Sequence, residues 1–137
     1  MRYVRCLSLA LAVALSPSAA LAEEDFRELF LEHQRALVGC SDVPCFRALI
    51  QQFGSKRNIA NFSRADDETM QRIFDRERQL AQQELAQPER IAIDATVDGD
   101  HATLLIKSRL ENGMASSDVL AKRLMVREDG IWKIGEK

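Results

Sequence analysis

Ile91-Ala92-Ile93-Asp94-Ala95-Thr96-Val97-Asp98-Gly99-Asp100-His101-Ala102-Thr103-Leu104 is the stretch on which the fold turns. Ile91, Ile93, Ala95 and Val97 alternate with polar or small residues, and Ala102, Leu104 and Ile106 do the same downstream. A period of two belongs to a half-buried strand, because successive side chains leave opposite faces of the sheet. Asp98-Gly99 stands between the two runs, and such pairs tolerate the backbone of a tight hairpin turn. Asn112-Gly113 and Asp129-Gly130 repeat the signal, framing a third strand over roughly residues 117–127 and a fourth over residues 131–135. Three tight turns in succession predict a four-stranded antiparallel meander.

Upstream of Pro88 the period changes to that of a helix. Phe26, Leu29, Phe30, His33 and Leu37 recur at i, i+3, i+4, i+7 and i+11, predicting a helix over residues 23–38. Glu23, Glu24 and Asp25 suit the positive end of its dipole, and Gly39 suits its end. Asp42 and Pro44 open a second helix, with Phe46, Leu49, Ile50 and Phe53 as its stripe and Gly54 as its stop. Residues 55–62 read as a polar connection. Ser63 followed by Asp66 resembles a capping box and predicts a third helix to about Ala86, with Met70, Ile73, Phe74, Leu80, Ala81 and Leu85 inward. Three amphipathic helices followed by a sheet with one apolar face give an α+β domain, helices first, packed on the meander.

The N-terminus sets the expected address. Arg2 and Arg5 precede an apolar run from Cys6 to Leu15, Ser16 and Pro17 break it, and Ala20-Leu21-Ala22 offers a small-x-small cleavage site. The apolar run is about half of what a spanning helix needs. A signal peptide over residues 1–22, cleaved after Ala22, is therefore expected, leaving one domain over residues 23–137 in the periplasm or secreted, with no membrane span. Loss of Arg2 and Arg5 makes that domain two units more negative than the −2 of the whole chain. The acidic balance argues against nucleic acid and anionic lipid as partners. Cys40 and Cys45 survive cleavage, and an even pair at short range in an oxidising compartment is read as a disulfide rather than a redox dithiol, which favours Cys-x-x-Cys.

The order of elements resembles the NTF2-like, or cystatin-like, α+β roll, and most of all small exported bacterial proteins with a lumazine-binding-like domain. The residues carrying the likeness are the 91–104 stretch and Val126-Arg127-Glu128-Asp129-Gly130-Ile131-Trp132-Lys133-Ile134, similar to a habitual final hairpin of that family. The resemblance implies three helices on a curved four-stranded sheet enclosing a cone, and pairing of two copies through the sheet. It implies no activity, since enzymes and binding modules share the fold.

An enzyme on this fold needs an acid or base in the cone. His33 falls centrally on the stripe of the first helix and Glu77 on that of the third, so Glu77 orienting His33 as a general base is the catalytic expectation. A core histidine bonded to a carbonyl and a glutamate leaning outward are the plainer alternatives. From the sheet, Ser108 and Lys122 are expected inward, and Trp132 either lines or fills the interior. His33, Glu77, Ser108, Lys122 and Trp132 are thus the pocket candidates, and no carboxylate points inward from the sheet. Glycine-rich phosphate loops and Ser-His-Asp signatures are absent from the sequence. Two histidines 68 positions apart form no ligand cluster, and Asp98-x-Asp100 reads as turn chemistry, so neither a metal nor a cofactor is expected. Asn61-Phe62-Ser63 matches a glycosylation sequon that the bacterial likeness discounts. The leading expectation is a non-catalytic exported module binding a small ligand or an envelope protein, with an isomerase- or dehydratase-type enzyme and an envelope inhibitor or immunity-type protein as alternatives.

Overall fold

The computed structural model describes residues 23–112 and 115–135. The signal segment with its Ala22 cleavage site, and Gly113 of the second turn, lie outside the described residues.

Four helices precede the sheet: α1 (Glu23–Gly39), α2 (Val43–Phe53), α3 (Lys56–Ser63) and α4 (Asp67–Ala86). A short 3-10 turn at Pro88–Arg90 leads into strands β1 (Ala92–Asp98), β2 (His101–Asn112), β3 (Ala115–Glu128) and β4 (Ile131–Ile134). The strands form one sheet in the order β1-β2-β3-β4, all neighbours antiparallel. The meander is therefore the predicted one. Its last turn puts Asp129 at φ 52° and Gly130 at φ 77°, two left-handed residues in succession as a two-residue hairpin of matching twist requires.

The helical half departs from expectation by one element. Residues 55–62, read as a connection, form most of α3, whose N-terminus is capped by Ser55 Oγ accepting from the Asn58 amide at 3.1 Å. Ser63 consequently ends α3 instead of starting the next helix. Asp66 is the cap of α4, its carboxylate accepting from the Thr69 amide at 2.7 Å. The second helix starts where expected, with Asp42 Oδ1 accepting from the Cys45 amide at 2.9 Å.

Two apolar clusters meet along α1. Phe26, Phe30 and Leu31 pack with Ile91, Ile93, Ala102, Leu104, Ile106 and Met125 on the inner face of the sheet. Leu37, Cys40, Val43, Phe46, Leu49, Met70, Phe74 and Ala81 form the second cluster among the helices. The α2–α3 junction is tied to the sheet edge, where the Ser55 amide donates to Ile134 O at 2.8 Å and Lys133 Nζ to Gln52 O at 2.7 Å. Gly54 suits the end of α2 at this junction, since a Cβ there would lie 2.5 Å from the Ile50 carbonyl oxygen of the same helix.

Cys40 and Cys45 are joined in a disulfide between α1 and α2. Closing so short a loop restricts the unfolded chain modestly, so a Cys40→Ser/Cys45→Ser variant should lose about 2 kcal/mol in urea unfolding. A midpoint unmoved by the double substitution would show that the link does not act as a staple.

Candidate functional site

At the seam between the two clusters α1 and α4 bring polar groups together. Gln34 is 3% exposed and lies one turn of chain past Phe30, and its Nε2 donates to Glu84 Oε2 at 3.0 Å. Committing the amide nitrogen to the carboxylate leaves Gln34 Oε1 to accept from His33 Nδ1–H, 3.0 Å away. The imidazole is thereby held in the tautomer whose Nε2 is the acceptor. Its ring also meets Phe53 edge-on at 5.1 Å. Burial and the nearby positive charge of Arg123 hold the His33 pKa down to about 4, against the Gln34 hydrogen bond, which favours the charged form.

Arg123 completes the group from the sheet. It pairs with Leu104 in the register and so points to the inner face, its guanidinium 5.1 Å from the centre of the Phe30 ring. Burial lowers its pKa, while Glu77 and Glu84 favour its charge. Glu84 in turn is pushed up by burial, an effect opposed by the Gln34 hydrogen bond and Arg123 and reinforced by Glu77.

Beside these groups a cavity of about 470 Å³ opens between the helices and the end of β4. Its apolar wall is Leu37, Phe46, Ile50, Phe62, Ile73 and Ile134, and its polar groups include His33, Asn58, Asn61, Arg76, Glu77 and Arg123. The volume lies in the range of small-molecule sites, which typically combine an apolar lining with a few converging polar groups. Helix α3, the element that the sequence did not reveal, supplies one wall through Asn58, Asn61 and Phe62.

The expected site residues divide accordingly. His33 and Glu77 both line the cavity. Their expected pairing is not what orients the ring, because the side-chain hydrogen bond of His33 goes to Gln34 and the charge acting on it is that of Arg123. Ser108 is inward and buried at 4% exposure, yet it does not line the cavity. Lys122 is corrected: it faces Leu105 across the strands on the outer, exposed side, and its neighbour Arg123 takes the inward position. Trp132 packs edge-on against Phe26 at 5.4 Å and borders a second void of only about 20 Å³, so it fills that end of the interior. Among the described residues no group of three or more His, Cys, Asp or Glu side chains could hold a metal ion. No helix among them is long and apolar enough to cross a membrane.

The His33 environment has a measurable consequence. Between pH 6.5 and about 4 the unfolded imidazole is protonated while the native one is still neutral. The unfolded state then binds more protons, so native stability falls as pH drops through this window, by about 3 kcal/mol from this group. Glu84, with its raised pKa, acts in the opposite sense, since the native carboxyl takes its proton before the unfolded one. A proton NMR titration of the His33 ring should give a midpoint near 4. An ordinary midpoint near 6.5 would refute the buried, Arg123-facing environment.

By element order and strand register the chain is an α+β domain, with helices over one face of a four-stranded antiparallel meander. Two solved structures are similar to it. One is described as an NTF2-like transpeptidase of Campylobacter jejuni, 14% identical, covering 82% of this chain and 99% of its own, with a TM-score of 0.43. The other is a de novo designed NTF2-fold protein, 18% identical, covering 85% of each chain, with a TM-score of 0.46. No protein-family model and no curated protein matches the sequence.

Proposed function

We propose that the chain is an exported, non-catalytic module that binds a small molecule in the cavity between α3, α4 and the β3–β4 edge. The observation carrying this reading is the cavity of about 470 Å³ with its apolar lining and clustered polar groups. The enzymatic alternative is weakened by the site itself. An efficient general base titrates near its working pH, whereas a His33 pKa of about 4 makes the ring a feeble proton acceptor and a good neutral hydrogen-bonding group. The Cys40–Cys45 disulfide and the signal-like residues 1–22 support export.

The neutral fluorophore N-phenyl-1-naphthylamine tests the binding site. The domain over residues 23–137 should bind it with enhanced fluorescence, and Ile73→Trp, which places a larger ring on the cavity wall, should abolish the signal. Equal binding by the blocked variant, or none by either, would overturn the reading. Export is tested separately, by finding a periplasmic form whose N-terminus begins at Glu23.

A second reading rests on the outer face of the sheet, where Leu105 is 40% and Leu120 69% exposed near Lys107 and Lys122. These support a protein partner, a second copy included. Light scattering showing only monomer at high concentration would remove the dimer.

A further inference from the structure

The cavity wall is not electrically even. Arg76 and Arg123 line it with one carboxylate, Glu77, while His33 beside them is neutral at ordinary pH. Glu77 is shared, since its Oε1 lies 3.6 Å from Arg76 Nη2 and it also attracts Arg123. Glu84 helps to balance Arg123 but does not line the cavity. Its carboxylate is turned to the Gln34 amide. The surface offered to an occupant therefore carries one guanidinium beyond its carboxylates, set against an apolar wall of Leu37, Phe46, Ile50, Phe62 and Ile73. A half-desolvated guanidinium binds a carboxylate strongly because its planar donors match the two oxygens. An unbalanced positive charge repels a cation and leaves an uncharged polar group without that gain.

Resting on the binding reading above, we propose that the natural occupant is a monoanionic amphiphile, an apolar body bearing one carboxylate that seats on Arg123. The single excess charge selects one anionic group, and the apolar wall selects the body attached to it. Glu77 acts as the competing carboxylate that the ligand must displace from Arg123.

Calorimetric titration with decanoate, decanol and decyltrimethylammonium, three ligands of matched chain, reads the selectivity directly. Decanoate should bind about tenfold or more tighter than decanol, the worth of a charge-assisted hydrogen bond, with the ammonium weakest. Arg123→Gln should erase the preference while leaving decanol bound, and Glu77→Gln should tighten decanoate without changing decanol. Equal binding of decanoate and decanol by the unaltered protein, or preference for the ammonium, would overturn the charge selection and leave the binding site standing. Failure of all three ligands, together with N-phenyl-1-naphthylamine, would overturn the binding reading itself. Should Arg123→Gln fail to fold, the unaltered protein and Glu77→Gln still decide the matter.

Discussion

Replacing Phe26 by alanine is expected to remove about 3–5 kcal/mol of stability, because a fully buried ring is exchanged for a methyl group and the neighbours cannot collapse into the space. Phe26 is 0% exposed and belongs to the cluster that fastens α1 to the inner face of the sheet. Its edge-on contact with Trp132 at 5.4 Å would also vanish, loosening the final hairpin from the helix above it. Domains commonly hold about 5–15 kcal/mol in all, so the loss is a large share of the total. Urea unfolding should show a much lower midpoint with an unchanged slope. Phe26→Leu, which keeps most of the volume, should cost less than about 1.5 kcal/mol. A loss below about 1 kcal/mol for alanine would mean that α1 does not roof the sheet, and the packing described above would fall with it.

The sheet was legible in the sequence because two independent signals agree there. Alternation fixes which residues of β1 and β2 face inward, and the turn pairs fix where each strand ends, so Ile91, Ile93, Leu104 and Ile106 are all buried as read. The third helix escaped because it is short and mostly polar. In Lys56–Ser63 only Ile59 and Phe62 repeat at helical spacing around the core, too few to reveal a stripe. Tertiary contact and the Ser55 cap make the helix, and neither shows as periodicity.

The site was half legible for related reasons. His33 and Glu77 could be placed by counting along helices whose stripes are clear. Lys122 could not be placed by β3's own pattern, because Asp118, Leu120, Lys122 and Leu124 mix charge and apolar groups on one face. The register held the answer. Any two-residue turn near Asn112-Gly113 pairs even-numbered β2 residues with odd-numbered β3 residues, which sends Arg123 inward with Leu104. Glu84 carries no mark of its burial in its residue type, since glutamates are mostly solvated and this one is 6% exposed. It lies two turns beyond Glu77 on the same face of α4, between Leu80 and Leu85, and that spacing was the available signal.

Gln34→Leu is the second substitution expected to act strongly, and its effect is conditional on Glu84. Removing the amide leaves a carboxylate of 6% exposure without its Gln34 donor, at a cost of about 3 kcal/mol near neutral pH. Loss of that hydrogen bond raises the Glu84 pKa further, so the penalty should shrink as the pH falls and the carboxyl takes a proton. Adding Glu84→Leu removes the stranded charge altogether, and the double variant should regain most of the lost stability, because a buried polar pair can often be replaced by apolar side chains of similar volume. A double-mutant cycle in urea measures this coupling; simple additivity of the two single losses would refute it. The same variant separates folding from binding. His33 loses the acceptor that fixes its Nδ1–H, while Arg123 keeps Glu77 but loses Glu84. With one carboxylate fewer near Arg123, the stable double variant should bind decanoate at least as tightly as the unaltered protein. Weaker binding would show instead that the Gln34–Glu84 pair positions the guanidinium and does not merely compete for it.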